Sequence, residues 1–381
     1  MKNFAQMNLL EAEGSLPLLY PATEKYKSDA AVIECGDQDT FLENLKDLAS
    51  RTQWEATDVY QLHFEKRNWE SVDPEKDPAG YDTAAYGTQL FVNLNGVMRP
   101  VRECGQPTLF KKLGVNCPAI NVIKPEEKAD WLNDITETEE YGTKKLMVPL
   151  VDGKVNAFLS EKYVYVPSDK VVASTINTLD RLEKNQSRAF KGTVTYAMSY
   201  GEWTLNEKLH SAQVPVLDGA DQLVTVRTSD AGYSSIAFGA AIRVRAGGCE
   251  TYYPLMTPIS FDHTGRVEEL VKDVFTTLKD EFLRDKASLE SLFDIDIKHP
   301  RGCLINVGRM CGFSRSAVRA LADENELDNM THDDAFGLYT ILCAMIKPED
   351  DLQKQLRTQG DVLKALHCHW EDFDKPEGDD D

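Results

Sequence analysis

The sequence predicts an α+β protein: a central antiparallel sheet packed by a long helix, a helical C-terminal region and a disordered acidic tail. Three observations carry this. Between Gly192 and Tyr253, short stretches alternate apolar and polar side chains, the period of a half-buried strand. From Val267 to Phe282 the apolar residues fall into helical spacing. From Arg301 onward the pattern stays helical, until the chain finishes in "WEDFDKPEGDDD" with no apolar residue after Phe373. Consecutive strands followed by a helix favour antiparallel pairing with the helix covering the apolar face. The expected organisation is a mixed α/β region over 1–150, the sheet-plus-helix core over 151–290, helices over 291–369 and the tail over 370–381.

The elements follow in order. "DTFLENLKDLAS" places Phe41, Leu42, Leu45 and Leu48 on one side of a helix. "SVDPEKDPAGYD" is rich in proline and charge and reads as a loop. Asn95-Gly96 between strand-like runs is a hairpin signal, and "PTLFKKLG" is a short helix closed by Gly114. "GKVNAFLSEKYVYVP" reads as a turn and strands. The next helix has Ser168 as cap and Val172, Ile176, Leu179 and Leu182 as its stripe. "GTVTYAMSYGEW" alternates, with Val194, Tyr196, Met198 and Tyr200 on one face. "DQLVTVRTSD" and "SSIAFGAAIRVRAGG" are further strands. In the latter, Ile236, Phe238, Ile242 and Val244 oppose Arg243 and Arg245. A fourth strand falls near Tyr252 and Tyr253. Thr264 caps the long helix, and Thr331 to Asp334 has capping-box form before "AFGLYTILCAMI".

Composition narrows the function. No apolar run reaches the ~20 residues of a membrane helix, and no signal peptide is evident, so a cytoplasmic protein of a bacterial host cell is expected, without membrane partners. Eight cysteines make no C-x-x-C and read as reduced, mostly buried thiols. His367-Cys368-His369 is a poor chelate, because residues two apart on a helix diverge. Phosphate-binding loops, zinc-protease motifs and nucleophile elbows are all missing. No enzyme, cofactor or metal site is expected.

Charge is the informative property. The net value is −21, yet residues 297–322 hold five basic side chains and no acid, and residues 371–381 hold seven acids and one lysine. A neutral-to-basic middle is flanked by acidic ends, which reopens nucleic-acid binding despite the net sign. Two surfaces qualify. On the sheet, Arg227, Arg243 and Arg245, with Lys184, Arg188 and Lys191 just before the first strand, would neutralise phosphates. Tyr200 and Trp203 would stack on bases. The alternative is an aromatic core beneath an ordinary wet sheet face. Changing Arg243 and Arg245 together is expected to weaken DNA binding and leave the fold intact. The second surface is "INVGRMCGFSRSAVRALADE", which reads as a helix-turn-helix: one helix ends near Gly312, Phe313 turns, Ser314 caps, and Arg315, Ser316 and Arg319 front the next helix. Its alternative is a pair of core helices with a basic outer face.

"GKVNAFLSEKYVYVPSDKVV" resembles a segment typical of a phage- and plasmid-borne group, domain of unknown function 932. "PTLFKKLGVNCPAINVIKP" and "VRTSDAGYSSIAFGAAIRVRAGG" are similar to two further segments of that group. The sequence departs from it where Cys-x-Asn-Gly is usual and Arg245 to Gly248 stand. The resemblance implies a mobile-element protein and carries over no catalytic residue. The order of strands then helix is also similar in architecture to phage single-strand annealing proteins. That likeness implies a homo-oligomer that binds single-stranded DNA and anneals strands. The tail residues Glu371, Asp372, Asp374, Glu377, Asp379, Asp380 and Asp381 would compete with DNA for the basic surfaces, or recruit a host or phage replication or recombination protein. The rival reading is an anti-defence interaction protein that blocks a nuclease, through direct binding or an acidic face that mimics DNA.

Overall fold

The computed structural model describes residues 33–66, 90–115, 120, 123, 125–182, 188–205, 220–232, 235–246, 249–255, 259–261, 267–327, 333–346 and 352–378. The architecture is mixed α+β, and every sheet is antiparallel. Strand β1 (Ile33–Cys35) leads into helix α1 (Gln38–Ser50). The Asp37 carboxylate caps α1 by accepting from the Thr40 amide at 2.8 Å, and Phe41, Leu45 and Leu48 form its buried stripe. Strands β2 (Thr52–Asp58), β3 (His63–Lys66), β4 (Leu90–Leu94) and β5 (Val97–Pro100) follow. The β4–β5 hairpin turns on Asn95 and Gly96, with φ of 52° and 86°, the positive pair that a tight two-residue turn needs. Helices α2 (Gln106–Lys112), α3 (Pro125–Thr136) and α4 (Glu139–Gly142) precede β6 (Lys145–Val151), β7 (Lys154–Val155) and β8 (Leu159–Ser160). Two small sheets, β3–β4–β5 and β2–β6–β7 with β8 beside β6, enclose a core that includes Phe64, Val92, Leu132, Leu146 and Phe158. The loop expected over Ser71 to Asp82 lies outside the described residues.

Helix α5 (Ser168–Leu182) precedes the main sheet of β9 (Phe190–Val194), β10 (Ser199–Leu205), β11 (Asp221–Thr228), β12 (Ile236–Ala246), β13 (Cys249–Pro254) and β14 (Ile259–Phe261). Its order is β1-β9-β10-β11-β12-β13, with β14 also paired to β12. Packing therefore does not follow chain order, since β1 and α1 join the main sheet. The stretch read as one alternating strand over Gly192 to Trp203 is a hairpin. The Thr195 hydroxyl donates to the Met198 carbonyl at 2.6 Å and accepts from the Met198 amide at 3.0 Å, closing the turn. Tyr196 and Met198 are thus turn residues, not neighbours of Tyr200 on a strand face.

One sheet face carries Val194, Trp203, Val224, Ile236, Phe238, Ile242 and Tyr253 into the main core. Helices α1, α5 and the 25-residue α6 (Val267–Ser291) pack against this core, α6 through Val271 and Val274. The α5 stripe is Val171, Val172, Thr175, Ile176 and Leu179, whereas Leu182, expected inside, is exposed in the last turn.

The start of α5 is held by a distant residue. Asp230 Oδ1 accepts from the Ser168 amide and hydroxyl, each at 2.8 Å. Burial pushes the Asp230 carboxyl up to about 6, against the opposing pull of those bonds. A carboxyl raised above its ordinary 3.8 favours the fold while protonated. Its contribution is complete below pH 3.8 and is lost as the pH rises to about 6. Relative to Asp230→Asn, the native protein should lose up to about 3 kcal/mol across that window. Urea midpoints of both proteins at the two ends of the window test this; parallel behaviour would contradict it.

The C-terminal region contains β15 (Asp296–Ile297), α7 (Pro300–Met310), α8 (Arg315–Glu324), β16 (Asp333–Asp334), α9 (Ala335–Cys343) and α10 (Leu352–Leu366). β15 pairs with β16. Asp334 caps α9, accepting from the Gly337 amide at 2.7 Å; Thr264 and Thr331, read as caps, lie outside the described residues. Helix α9 packs Phe336 and Tyr339 against Tyr253 of the sheet. Among the described residues, no helix is long and apolar enough to cross a membrane.

Candidate nucleic-acid interface

The sheet residues read as a groove turn out to be largely internal. Arg243 is 8% exposed. Its Nη1 donates to Glu202 at 2.7 Å, Nε and Nη2 donate to Asp221 at 3.2 and 3.1 Å, and Nη2 also donates to Thr204 at 3.0 Å. Asp221 lies directly opposite Arg243 on the neighbouring strand. The polar face of the sheet thus supplies its own acids, and Arg243 belongs to a buried ionic network rather than to a phosphate track. Trp203 is fully buried, packs against Phe41 and Phe190, and donates its indole N–H to Gln38 at 3.1 Å. The Tyr200 hydroxyl donates to Glu202 at 3.3 Å, and burial raises its phenol well above the ordinary value. Arg188 is 1% exposed in its side chain and donates to Asp180 at 2.8 Å. Lys191 is exposed on β9, and Arg227 is half-buried. Arg245 stands on β12 opposite Glu250. Lys184 lies outside the described residues. Trp203 has no surface for a base to stack on, and Tyr200 is half-buried with its hydroxyl turned to Glu202, since alternation marks which residues share a face but not whether that face is wet.

At the second surface the two helices and the turn between them are present. Helix α7 ends at Met310, Gly312 takes a φ of +99°, and Ser314 caps α8 by accepting from the Ala317 amide at 3.3 Å. The positive φ at Gly312 lets the chain reverse within a few residues. The helices meet closely where Gly308 faces Val318; a Cβ at Gly308 would lie 2.6 Å from a Val318 methyl. This leaves Arg301 of α7 and Arg315 and Arg319 of α8 on a common outer face.

The acidic tail occupies that face. Expected to be disordered, it is instead packed from Glu371 to Gly378, because its acids find fixed partners; Asp379, Asp380 and Asp381 lie outside the described residues. Trp370 is fully buried and donates to the Ala365 carbonyl at 2.9 Å, anchoring the segment. Asp374 then accepts from the backbone amides of Lys298 and His299 at 3.0 and 2.7 Å, capping α7 from outside it. Glu377 follows as a clamp: one oxygen accepts from Arg301 Nε at 2.7 Å, the other from Arg319 Nε at 2.5 Å, with Arg315 at 3.8 Å. Arg315 donates to the Gly378 carbonyl at 2.7 Å. Glu371 and Asp372 take no part in this clamp; they form the single helical turn after Trp370.

Gly302 permits this approach. A Cβ there would collide with backbone atoms of Lys375, Pro376 and Glu377. The sequence reading missed Arg301 as a member of the cluster and missed Gly302 altogether. The local signals were a glycine in the first turn of a helix and a basic residue beside it.

Desolvation opposes ionisation of Asp374 and Glu377, but hydrogen bonds outweigh it: Lys298 and His299 amides for Asp374, Arg301 and Arg319 for Glu377. Both carboxyls are held below their ordinary 3.8 and 4.5. Such a group stabilises the docked form above its ordinary value and loses that contribution as the pH falls through its lowered one. Asp374 and Glu377 therefore stay charged and docked at neutral pH, and their hold weakens only in acid. At neutral pH its release requires salt or a competing anion.

No protein-family model, curated protein or solved structure matches this chain. The functional reading rests on the site itself.

Proposed function

We propose that this protein binds DNA without catalysing a reaction on it, through the basic face of α7 and α8, and that its own acidic tail holds that face in the free protein. The carrying observation is the Glu377 carboxylate set between Arg301 and Arg319, where a phosphate group would make the same charge-assisted bonds. Two helices joined by a tight glycine turn, with arginines and a serine at the front of the second, suit the major groove of a duplex. This favours duplex over single-stranded DNA, because of the aromatic side chains expected to stack on unpaired bases Trp203 is internal and Tyr200 is half-buried with its hydroxyl engaged by Glu202. The mobile-element setting suggested by sequence resemblance is part of the same proposal.

The test is the salt dependence of binding to a short duplex and to a single strand of equal length. Contact with three or four phosphates gives a duplex slope of about −3 on a log–log plot of affinity against salt. The duplex should bind more tightly than the single strand. A flat slope, or no binding at low salt once the tail is shortened, contradicts the proposal. Tighter single-strand binding would move the interface away from α7 and α8.

A further inference from the structure

A second basic feature lies away from the tail. The polar face of the main sheet and helix α10 enclose a cleft of about 50 Å³ open to water. Its floor is Arg227 and Tyr200, directly opposite each other on β11 and β10, with Tyr252 and Thr225 beside them. Gln359 and Gly360 of α10 form the facing wall. Among the described residues Arg227 has no hydrogen-bond or ion-pair partner, and its Nε is buried. On the same sheet face, Glu202 is engaged by Arg243 at 2.7 Å and by the Tyr200 hydroxyl, and Asp221 by Arg243 at 3.1 Å. Burial alone pulls the Arg227 guanidinium down from its ordinary value, with no acid offsetting it.

A half-buried cation without a counter-charge is costly, and a fold that retains one beside the Tyr252 phenol and an amide has the donor set of an anion site. A guanidinium presents paired N–H donors that match two oxygens of a phosphate or carboxylate. The room fits a compact ligand: one water needs ~10–15 Å³ by the same measure, so the cleft holds a group of about three to four waters' size. At Gly360 a Cβ would meet nothing within 4 Å, so this wall is open space rather than packed core.

We propose that this cleft binds a phosphate-sized oxyanion, with Arg227 as its principal ligand and Tyr200, Tyr252 and Gln359 around it. The site does not depend on the DNA reading of α7 and α8.

The experiment follows thermal stability of the full chain as inorganic phosphate is raised, at ionic strength held constant with chloride. The native protein should show a saturable rise in Tm. Arg227→Met should abolish that rise while leaving the ligand-free Tm equal or higher, because it removes a half-buried charge with no counter-charge beside it. Gly360→Leu, which fills the cleft from the α10 side without touching Arg227, should abolish it as well and serves if the first variant fails to fold. Adenosine monophosphate, used as a second probe, separates two sources: a rise at much lower concentration assigns a nucleotide phosphate, and an equal response assigns the bare oxyanion. An equal phosphate response in all three proteins would reflect the general exclusion of phosphate from the protein surface and would overturn the site. No response in the native protein would overturn it too.

Discussion

Deleting Lys375–Asp381 is expected to raise affinity for a short DNA duplex about tenfold at low salt. The reason is occupancy. A surface that its own tail covers nine-tenths of the time, a bias of about 1.4 kcal/mol, binds a competitor with about one-tenth of its intrinsic affinity. The deletion removes Glu377, which holds Arg301 and Arg319, and Gly378, whose carbonyl takes Arg315. It leaves Asp374 in place to cap α7, and Trp370 in the core. Stability should therefore change little, since ion pairs this close to the surface are worth ~0.2–1 kcal/mol each. Gly302→Ala should act in the same direction without altering any charge, because its methyl group would displace the tail backbone. Both gains should shrink as salt rises, since screening weakens the tail and the DNA contacts alike. Unchanged or weaker binding after deletion, in a protein that remains folded, would refute the competition. It would then favour the tail as a docking segment for another protein.

The second large effect is on stability. Arg243→Ala should destabilise the fold by about 3–5 kcal/mol, because it removes the cation that faces Glu202, which is buried, and Asp221, which is part-exposed. Denaturant unfolding measures this directly. Replacing Arg243 and Glu202 together with apolar residues of similar size should recover part of the loss, since the penalty comes from keeping the Glu202 charge buried more than from the lost attraction. DNA affinity per folded molecule should stay as in the native protein. A stable Arg243→Ala variant that no longer binds DNA would return the interface to the sheet.

Local structure was legible where one short signal decides the backbone. Asn95-Gly96 specified its hairpin, and Ser314 after Gly312 specified the break between α7 and α8. Phe41, Leu45 and Leu48 specified the face of α1. Legibility failed where the deciding contact is distant in sequence. Ser168 begins α5, but Asp230 holds it, 62 residues away. Arg243 and Arg245 read as solvent-facing because they alternate with Ile242 and Val244. The fate of Arg243 depended on the acids that neighbouring strands would bring, which alternation does not encode. The hairpin at Thr195–Met198 carries no glycine or proline, so an unbroken strand pattern concealed a reversal closed by one hydroxyl. The tail shows the same limit. Its composition matches that of disordered segments, yet a buried tryptophan at its start and arginines waiting on α7 and α8 hold it in place. Charge complementarity between residues 297–322 and 371–381 was readable from the sequence. Which acid meets which arginine was not.

The central claim is that DNA and the tail compete for the same arginines. A double-mutant cycle tests it most directly: duplex affinity measured for the full chain, for Arg315→Ala with Arg319→Ala, for the protein lacking Lys375–Asp381, and for the combination. The two arginines are occupied by the tail in the full chain, so their loss should change its affinity little. In the shortened protein, where they are uncovered, their loss should cancel the gain of about tenfold. An arginine effect of equal size in both backgrounds, or in neither, would contradict the account.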